Sequence, residues 1–202
     1  MIKLENLTHL FTVNWDAIRN YIHTELVKYP KAGSGDFTGW SVTSNTGKYT
    51  DGWLNGTHFM SVGLDGEIVI DKDAALAAGY CSAKFHTQFT DIANADLQSC
   101  INQLSNLGLS PCRARLTQLE PGAESDWHTD GKPSDKIIRL HFVFDTNPDC
   151  FFIHEAGKFH MEENNVYLIN INYHHKVVNL GNTNRTHMIV DVTDTKGISK
   201  VH

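Results

Sequence analysis

Beyond Cys112 the chain never holds one hydrophobic period for long. Short runs rich in β-branched and aromatic residues are cut by turn signals at Asn147-Pro148, Ala156-Gly157, Asn164-Asn165 and Gly181-Asn182. Short strands alternating with turns in this way are the signature of a sandwich or jelly roll. The chain of 202 residues can bury a substantial core, and all-β units of about 200–250 residues are common as single domains. The expectation is one mainly β domain over 1–202, with a jelly-roll core over 112–195 and a helical and mixed part over 1–111 packed on it.

The first part offers two helices. Asn14 stands where it can cap a helix running to about Lys28, with Trp15, Ile18, Ile22 and Leu26 as its apolar stripe and Pro30, Gly33 and Gly35 ending it. A second helix is expected from about Ile92 to Leu107, where Leu97, Cys100, Ile101, Leu104 and Leu107 fit helical spacing and Gly108 takes the C′ position. The glycine-rich passage between them holds Trp40 and Trp53, which read as packing over the barrel mouth or as a substrate-contacting lid.

Charge and composition exclude some partners. A net charge of −6 with dispersed Lys and Arg gives no electrostatic footprint for nucleic acid. No window approaches the roughly 18 apolar residues of a membrane span. Cys81, Cys100, Cys112 and Cys150 show no tight disulfide framework, and the N-terminus lacks a long apolar stretch, so a reducing cytoplasm is expected.

Within the core, His128-Thr129-Asp130 sets an imidazole and a carboxylate two residues apart. In an extended strand such residues project to one face about 6–7 Å apart, close enough to share a metal ion. Alone, the pair also fits a solvated turn. His175 opens the run His175-Lys176-Val177-Val178-Asn179-Leu180, which reads as a distant strand able to supply a third ligand. Two imidazoles and a carboxylate on one face of Fe(II) leave positions open for oxygen chemistry, and no Cys-x-x-Cys or Cys-x-x-His cluster offers a thiolate alternative.

Ten residues past His175, Arg185 lies in an alternating run over 184–192 whose side chains point into the barrel. An inward Arg is costly unless it meets an anion. It reads either as a structural ion pair with a core carboxylate or as a socket for the distal carboxylate of a dicarboxylic cosubstrate. Arg139 and His141, two apart on the strand Lys136-Ile137-Ile138-Arg139-Leu140-His141-Phe142-Val143-Phe144, form a second anion-reading pair.

Taken in order, Arg115-Leu116-Thr117-Gln118-Leu119-Glu120-Pro121-Gly122, Trp127-His128-Thr129-Asp130-Gly131, Arg139-Leu140-His141, His175-Lys176-Val177, Arg185 and Ile189-Val190-Asp191-Val192 resemble the aspartyl/asparaginyl β-hydroxylase family of Fe(II)- and 2-oxoglutarate-dependent oxygenases over about residues 112–195. The resemblance implies a double-stranded β-helix, the cupin-like jelly roll, with His128, Asp130 and His175 on iron. It implies Arg185 on the distal carboxylate of 2-oxoglutarate, helped by the Thr117 hydroxyl, with Arg139 and His141 near the metal-chelating end. The family's H-x-V pattern and the interval to Arg185 select His175 over its neighbour His174. His154, on the strand Cys150-Phe151-Phe152-Ile153-His154, and Trp127 become candidate substrate contacts, while Phe151 and Phe152 read as core.

The implied reaction consumes dioxygen and 2-oxoglutarate, releases succinate and carbon dioxide, and hydroxylates a free amino acid or an Asp/Asn-type side chain of a peptide or protein. The carboxylate at Asp130 resembles the free amino-acid branch and opposes halogenation, which would need a small residue there. Asn164 replaces a frequent turn glycine, and Asn170-Ile171-Asn172 replaces acidic residues before the distal His. Two other readings keep parts of the pattern. A cupin-like metalloenzyme without 2-oxoglutarate would need the three ligands but not Arg185, and a non-catalytic jelly-roll binding module would need neither. His9, His23, His58, His86, His160, His187 and His202 are assigned to surface or satisfied-core roles.

Overall fold

The computed structural model describes residues 4–34, 37–51, 60–62, 68–70, 83–130 and 138–192. Trp53, His58, Cys81 and His202 lie outside the described residues. The strands in chain order are β1 (Glu5–Asn6), β2 (Ala32–Ser34), β3 (Phe37–Ser41), β4 (Thr43–Ser44), β5 (Met60–Val62), β6 (Ile68–Ile70), β7 (Gln88–Phe89), β8 (Pro111–Leu119), β9 (Ile138–Asp145), β10 (Cys150–His154), β11 (Gly157–Phe159), β12 (Val166–Ile169), β13 (His175–Asn179) and β14 (Arg185–Val192). Seven form one antiparallel sheet in the order β1-β12-β9-β14-β8-β3-β2, and three form a smaller sheet, β11-β10-β13. This is the expected mainly β jelly roll, with helices α1 (Trp15–Thr24) and α2 (Ala95–Asn106) flanking it.

Period-two alternation along β8, β9 and β14 decides what each face of the large sheet carries. Ala114, Leu116, Leu140, Phe142, Phe144, Met188, Val190 and Val192 share one core with Ile18, Ile22, Leu26, Leu97, Cys100 and Leu104 from the helical side. Ile18, Ile22 and Leu26 are fully buried, each contributing about 1.5–3 kcal/mol by burial. Between the sheets a second cluster joins Leu119, Val143 and Ile169 to Phe152 and Val177. Most of the remaining inward positions are polar: Arg113, Arg115, Thr117, Arg139, His141, Arg185, His187 and Asp191 are all buried. One sheet thus separates an apolar helical core from a polar interior.

Local chemistry sets the helix ends. Asn14 stands at the N-cap of α1 but makes no capping bond, donating its amide to Asp96 at 3.4 Å instead. The helix stops at Thr24, and a 3-10 turn over Leu26–Lys28 takes the chain to the expected end. The second helix begins at Ala95 rather than near Ile92, because the Asn94 side chain accepts the Leu97 N–H at 3.0 Å. Its end is a Schellman motif. Gly108 at φ +79 donates to Ser105 O, and Leu109 donates to Leu104 O at 3.1 Å. Trp40, on β3, packs in the helical core and donates Nε1–H to Tyr29 O at 3.0 Å, so it belongs to neither a mouth nor a lid.

The pairing of β8 with β14 slips by one residue between Ile189 and Asp191, and Arg113 sits at this bulge with φ +45. Asn179 ends β13 as a buried hub. Its amide donates to Leu119 O at 3.0 Å and Thr183 O at 2.8 Å, while its oxygen accepts from Asn147 Nδ2 and Gly181 N–H. That hub ties the turn by which the chain crosses from the small sheet to the large one. Among the described residues no helix is long and apolar enough to cross a membrane, and Cys100, Cys112 and Cys150 are free and buried.

Candidate metal centre

The segment carrying His128 and Asp130 is not a regular strand. It runs along the free edge of β13 and pairs at two isolated bridges, Glu124 with Val178 and His128 with His175. His128 and His175 exchange both main-chain hydrogen bonds, at 3.0 and 2.9 Å, and their rings stand 4.4 Å apart. Asp130 N–H donates to Ile171 O at 3.1 Å, which turns its carboxylate toward both rings. Its Oδ2 lies 3.5 Å from His175 Nε2 and 3.8 Å from His128 Nε2, and the three ligand atoms all fall within 4.8 Å of one another.

The tautomers are fixed from behind. His128 Nδ1 lies 2.7 Å from Asp126 O, and His175 Nδ1 lies 2.8 Å from Tyr173 O. A carbonyl can only accept, so each Nδ1 carries the proton and each Nε2 is left with a lone pair. Metal-binding histidines need this arrangement. His174 is exposed, whereas His175 is buried with Phe152 stacked on it at 5.0 Å. Two nitrogens and one carboxylate match the donor set of non-haem divalent iron and of catalytic zinc, and lack the thiolates of structural zinc sites.

Asp130 is held ionised. Burial raises its pKa, but the charge of the adjacent Arg139 guanidinium, foremost among the opposing groups, keeps the carboxyl well below its ordinary range. Arg139 is wholly engaged with carboxylates. Its Nη1 donates to Asp130 Oδ2 at 2.5 Å, and its Nε and Nη2 donate to the two oxygens of Asp191 at 2.7 and 3.3 Å. Arg139, expected near the chelating end of a cosubstrate, stands on the cavity wall against Asp130 with its charge already met by two carboxylates.

A cavity of about 480 Å³ opens beside the three ligands, lined also by Arg113, Arg115, Arg139, His141, Phe152, Ile171, Val177, Arg185 and Ile189. Arg185 is buried, 3 % exposed, with no carboxylate partner among the described residues. Desolvation, opposed by Cys150, brings its pKa down to about 10, so it stays cationic at neutral pH. Among the described residues, the alternative of a structural ion pair is not met there. His141 lines the cavity and shares a 3.3 Å Nδ1 to Nδ1 contact with His187. Burial, then Arg185, holds both rings well below the ordinary histidine pKa, so both are neutral.

Three residues expected to make contacts are not among the described residues lining the cavity. Thr117 donates its hydroxyl to His187 O at 3.2 Å, bound into the sheet, and is not among the described residues lining the cavity. His154 pairs with His175 in the register, accepts the Ala156 N–H on Nδ1 and packs against Tyr173, also outside the lining. Trp127, 49 % exposed, stands beside His128 with Lys176 Nζ 6.0 Å from its ring. Phe152 is both core and cavity wall, while Phe151 lies against Lys158 rather than in the core. Sequence reasoning assigned no role to Arg113, Arg115 and Asp191, and placed His187 among bland histidines. The alternation Arg113-Ala114-Arg115-Leu116-Thr117 was the available signal.

Fold and site together define a jelly-roll protein with a two-histidine, one-carboxylate cluster beside a buried arginine. A sequence profile of the aspartyl/asparaginyl β-hydroxylase family matches residues 88–195, and the chain belongs to that family. Among solved structures it is similar to an oxidoreductase of the 2OG-Fe(II) oxygenase family from Burkholderia pseudomallei, at 10% identity and a TM-score of 0.52, over 95% of this chain and 84% of that one. It is also similar to a cupin domain from Bordetella pertussis Tohama I, at 16% identity and a TM-score of 0.33, over 40% of this chain and 80% of that one.

Proposed function

We propose that this hydroxylase-family protein is an Fe(II)- and 2-oxoglutarate-dependent dioxygenase acting on a free amino acid or an Asp/Asn-type side chain. One observation carries the reading: a buried Arg185, with no carboxylate partner among the described residues, shares a cavity with His128, Asp130 and His175. A guanidinium in a dry wall needs an anion, and a carboxylate offers the matching two-pronged acceptor. Bound there, the metal and cosubstrate would supply dioxygen activation, with 2-oxoglutarate leaving as succinate and carbon dioxide.

The chain's own residues supply geometry and charge. His128 and His175 present Nε2 because their Nδ1 protons are held by backbone carbonyls. Arg139 keeps Asp130 ionised and aimed. Neutral His141 adds a polar group without a second cation beside Arg185. Phe152, stacked on His175, excludes water from one side of the ligand set.

The test is an anaerobic titration of Fe(II) and 2-oxoglutarate, read by calorimetry and by the optical charge-transfer band, followed by an amino-acid panel read as succinate. Arg185→Ala removes one member of a buried charge pair, a loss of about 3–5 kcal/mol. At about 1.4 kcal/mol per tenfold, cosubstrate binding weakens on the order of a hundred- to several-thousand-fold. Iron affinity holds, and Arg185→Lys recovers part of the loss by keeping the charge without the fork. Unchanged 2-oxoglutarate affinity in Arg185→Ala removes this reading.

A further inference from the structure

His187 is a buried imidazole that the proposed function leaves idle. It sits in the middle of the large sheet, opposite Thr117 on β8 and Val143 on β9, and its carbonyl accepts the Thr117 hydroxyl at 3.2 Å. The residue is fully buried and is not among the described residues lining the cavity. A polar ring costs stability there unless it is hydrogen-bonded. Among the described residues that ring has one polar partner, His141. Nδ1 meets Nδ1 at 3.3 Å, with the two rings perpendicular at 89°. The Nε2 of His187 has none.

That pattern fixes where the protons lie. Burial keeps both rings neutral, so each carries one ring proton, and at the contact one Nδ1 donates while the other accepts. The far side of His187 decides which. A proton on its Nε2 would be a buried orphan N–H, a rarer outcome in folded proteins than an idle acceptor. The His187 proton therefore belongs on Nδ1, and His141 Nδ1 is the bare acceptor. The single proton of His141 is left on Nε2, the nitrogen not taken by His187, in a ring that lines the cavity. Electrostatics favours the same assignment. Arg185 in the same wall attracts an anion, which an N–H would meet and a bare ring nitrogen would repel.

We propose that His187 is a positioning residue that donates its Nδ1–H to His141 and so holds the His141 proton on Nε2, as a neutral hydrogen-bond donor to a carboxylate bound beside Arg185. The identity of that carboxylate, 2-oxoglutarate, rests on the proposed function. A partner built into a central strand holds the His141 ring in one tautomer and one orientation, which a loop would do less well.

The experiment takes the full chain, isotope-labelled on its histidine ring nitrogens and free of metal and ligand. Long-range nitrogen–proton NMR at neutral pH separates protonated from bare ring nitrogens, with the ring signals assigned through the backbone. Expected are a protonated Nδ1 and a bare Nε2 on His187, with the reverse on His141; the opposite pattern overturns the inference. In His187→Asn the amide donates in place of the ring, and His141 keeps its proton on Nε2. In His187→Leu the donor is gone and the His141 proton spreads over both nitrogens. Calorimetry of 2-oxoglutarate into the Fe(II)-loaded proteins, without oxygen, then shows binding about three- to tenfold weaker in His187→Leu and within about threefold of the parent in His187→Asn. An unchanged His141 tautomer in His187→Leu overturns the inference, as does parent-like affinity there. The parent spectrum decides the proton positions even where a variant fails to fold. Failure of the parent to bind 2-oxoglutarate sinks the proposed function alone, because the spectra are recorded without it.

Discussion

Two adjacent imidazoles, His174 and His175, show how little of a site is decided by residue type. Only His175 faces inward, fixed by its backbone exchange with His128 and by the Tyr173 carbonyl on its Nδ1. His128→Ala and His175→Ala should each reduce Fe(II) or Mn(II) binding to background in calorimetry, with His174→Ala close to the parent. The reverse pattern for the neighbours would displace the ligand assignment by one residue. His128, Asp130, His175 and Arg185 were legible in the sequence because metal and anion chemistry admit few residue types at that spacing. The role of Arg139 was not. Its partners, Asp130 and Asp191, lie 9 and 52 residues away, and no local pattern announces that a guanidinium is already satisfied. The bulge at Arg113 was hidden for a related reason, since a bulge is a property of the pairing and not of one strand.

At the scale of elements, the ten-residue interval between His175 and Arg185 has a mechanical origin. The first residue opens β13 in the small sheet and the second opens β14 in the large one, and the intervening turn is tied by Asn179. Gly181 leaves room beside it for Asn147, whose Oδ1 a Cβ there would meet at 2.1 Å and displace. Asn179→Ala strands several buried groups, each worth about 1–3 kcal/mol when left unsatisfied. We expect a loss of roughly 2–4 kcal/mol in denaturant unfolding, with 2-oxoglutarate binding weakened while metal binding is kept. Equal loss of both ligands would show that the turn supports the whole barrel and not the spacing. The strands 150–154 and 184–192 and the apolar stripes of both helices were readable from periodicity. The cap of α1 was not, because Asn14 prefers a partner on α2, 82 residues away.

The whole molecule places neutral histidines where a jelly roll of ordinary composition would place aliphatic ones. Folded His141 and His187 titrate well below an unfolded value of about 6.5. The unfolded chain therefore binds more protons as the pH falls. Stability is full above about pH 6.5 and declines below it by up to about 1.4 kcal/mol per pH unit for each ring. Asp130 acts in a lower window, its contribution present above about pH 4 and lost as the pH falls through its depressed folded value. The thermal midpoint of the metal-free protein should drop between pH 7.5 and 5.5, and His187→Asn should lessen the drop; a flat profile contradicts the assignment. The same polar interior has a consequence for the iron of the proposed function. His128 and His175 are locked together by main-chain bonds and by their Nδ1 protons, so the fold's own hydrogen bonds hold the two imidazoles side by side. A prebuilt pair of imidazoles cannot refuse zinc, which stands above iron in the affinity order of first-row ions. Chelation should leave the far-ultraviolet dichroism unchanged, and Zn(II) should displace Fe(II) and silence turnover. The protein would then act as a gauge of its surroundings, its output set by the ratio of the two metals supplied to it rather than by any choice made at the site.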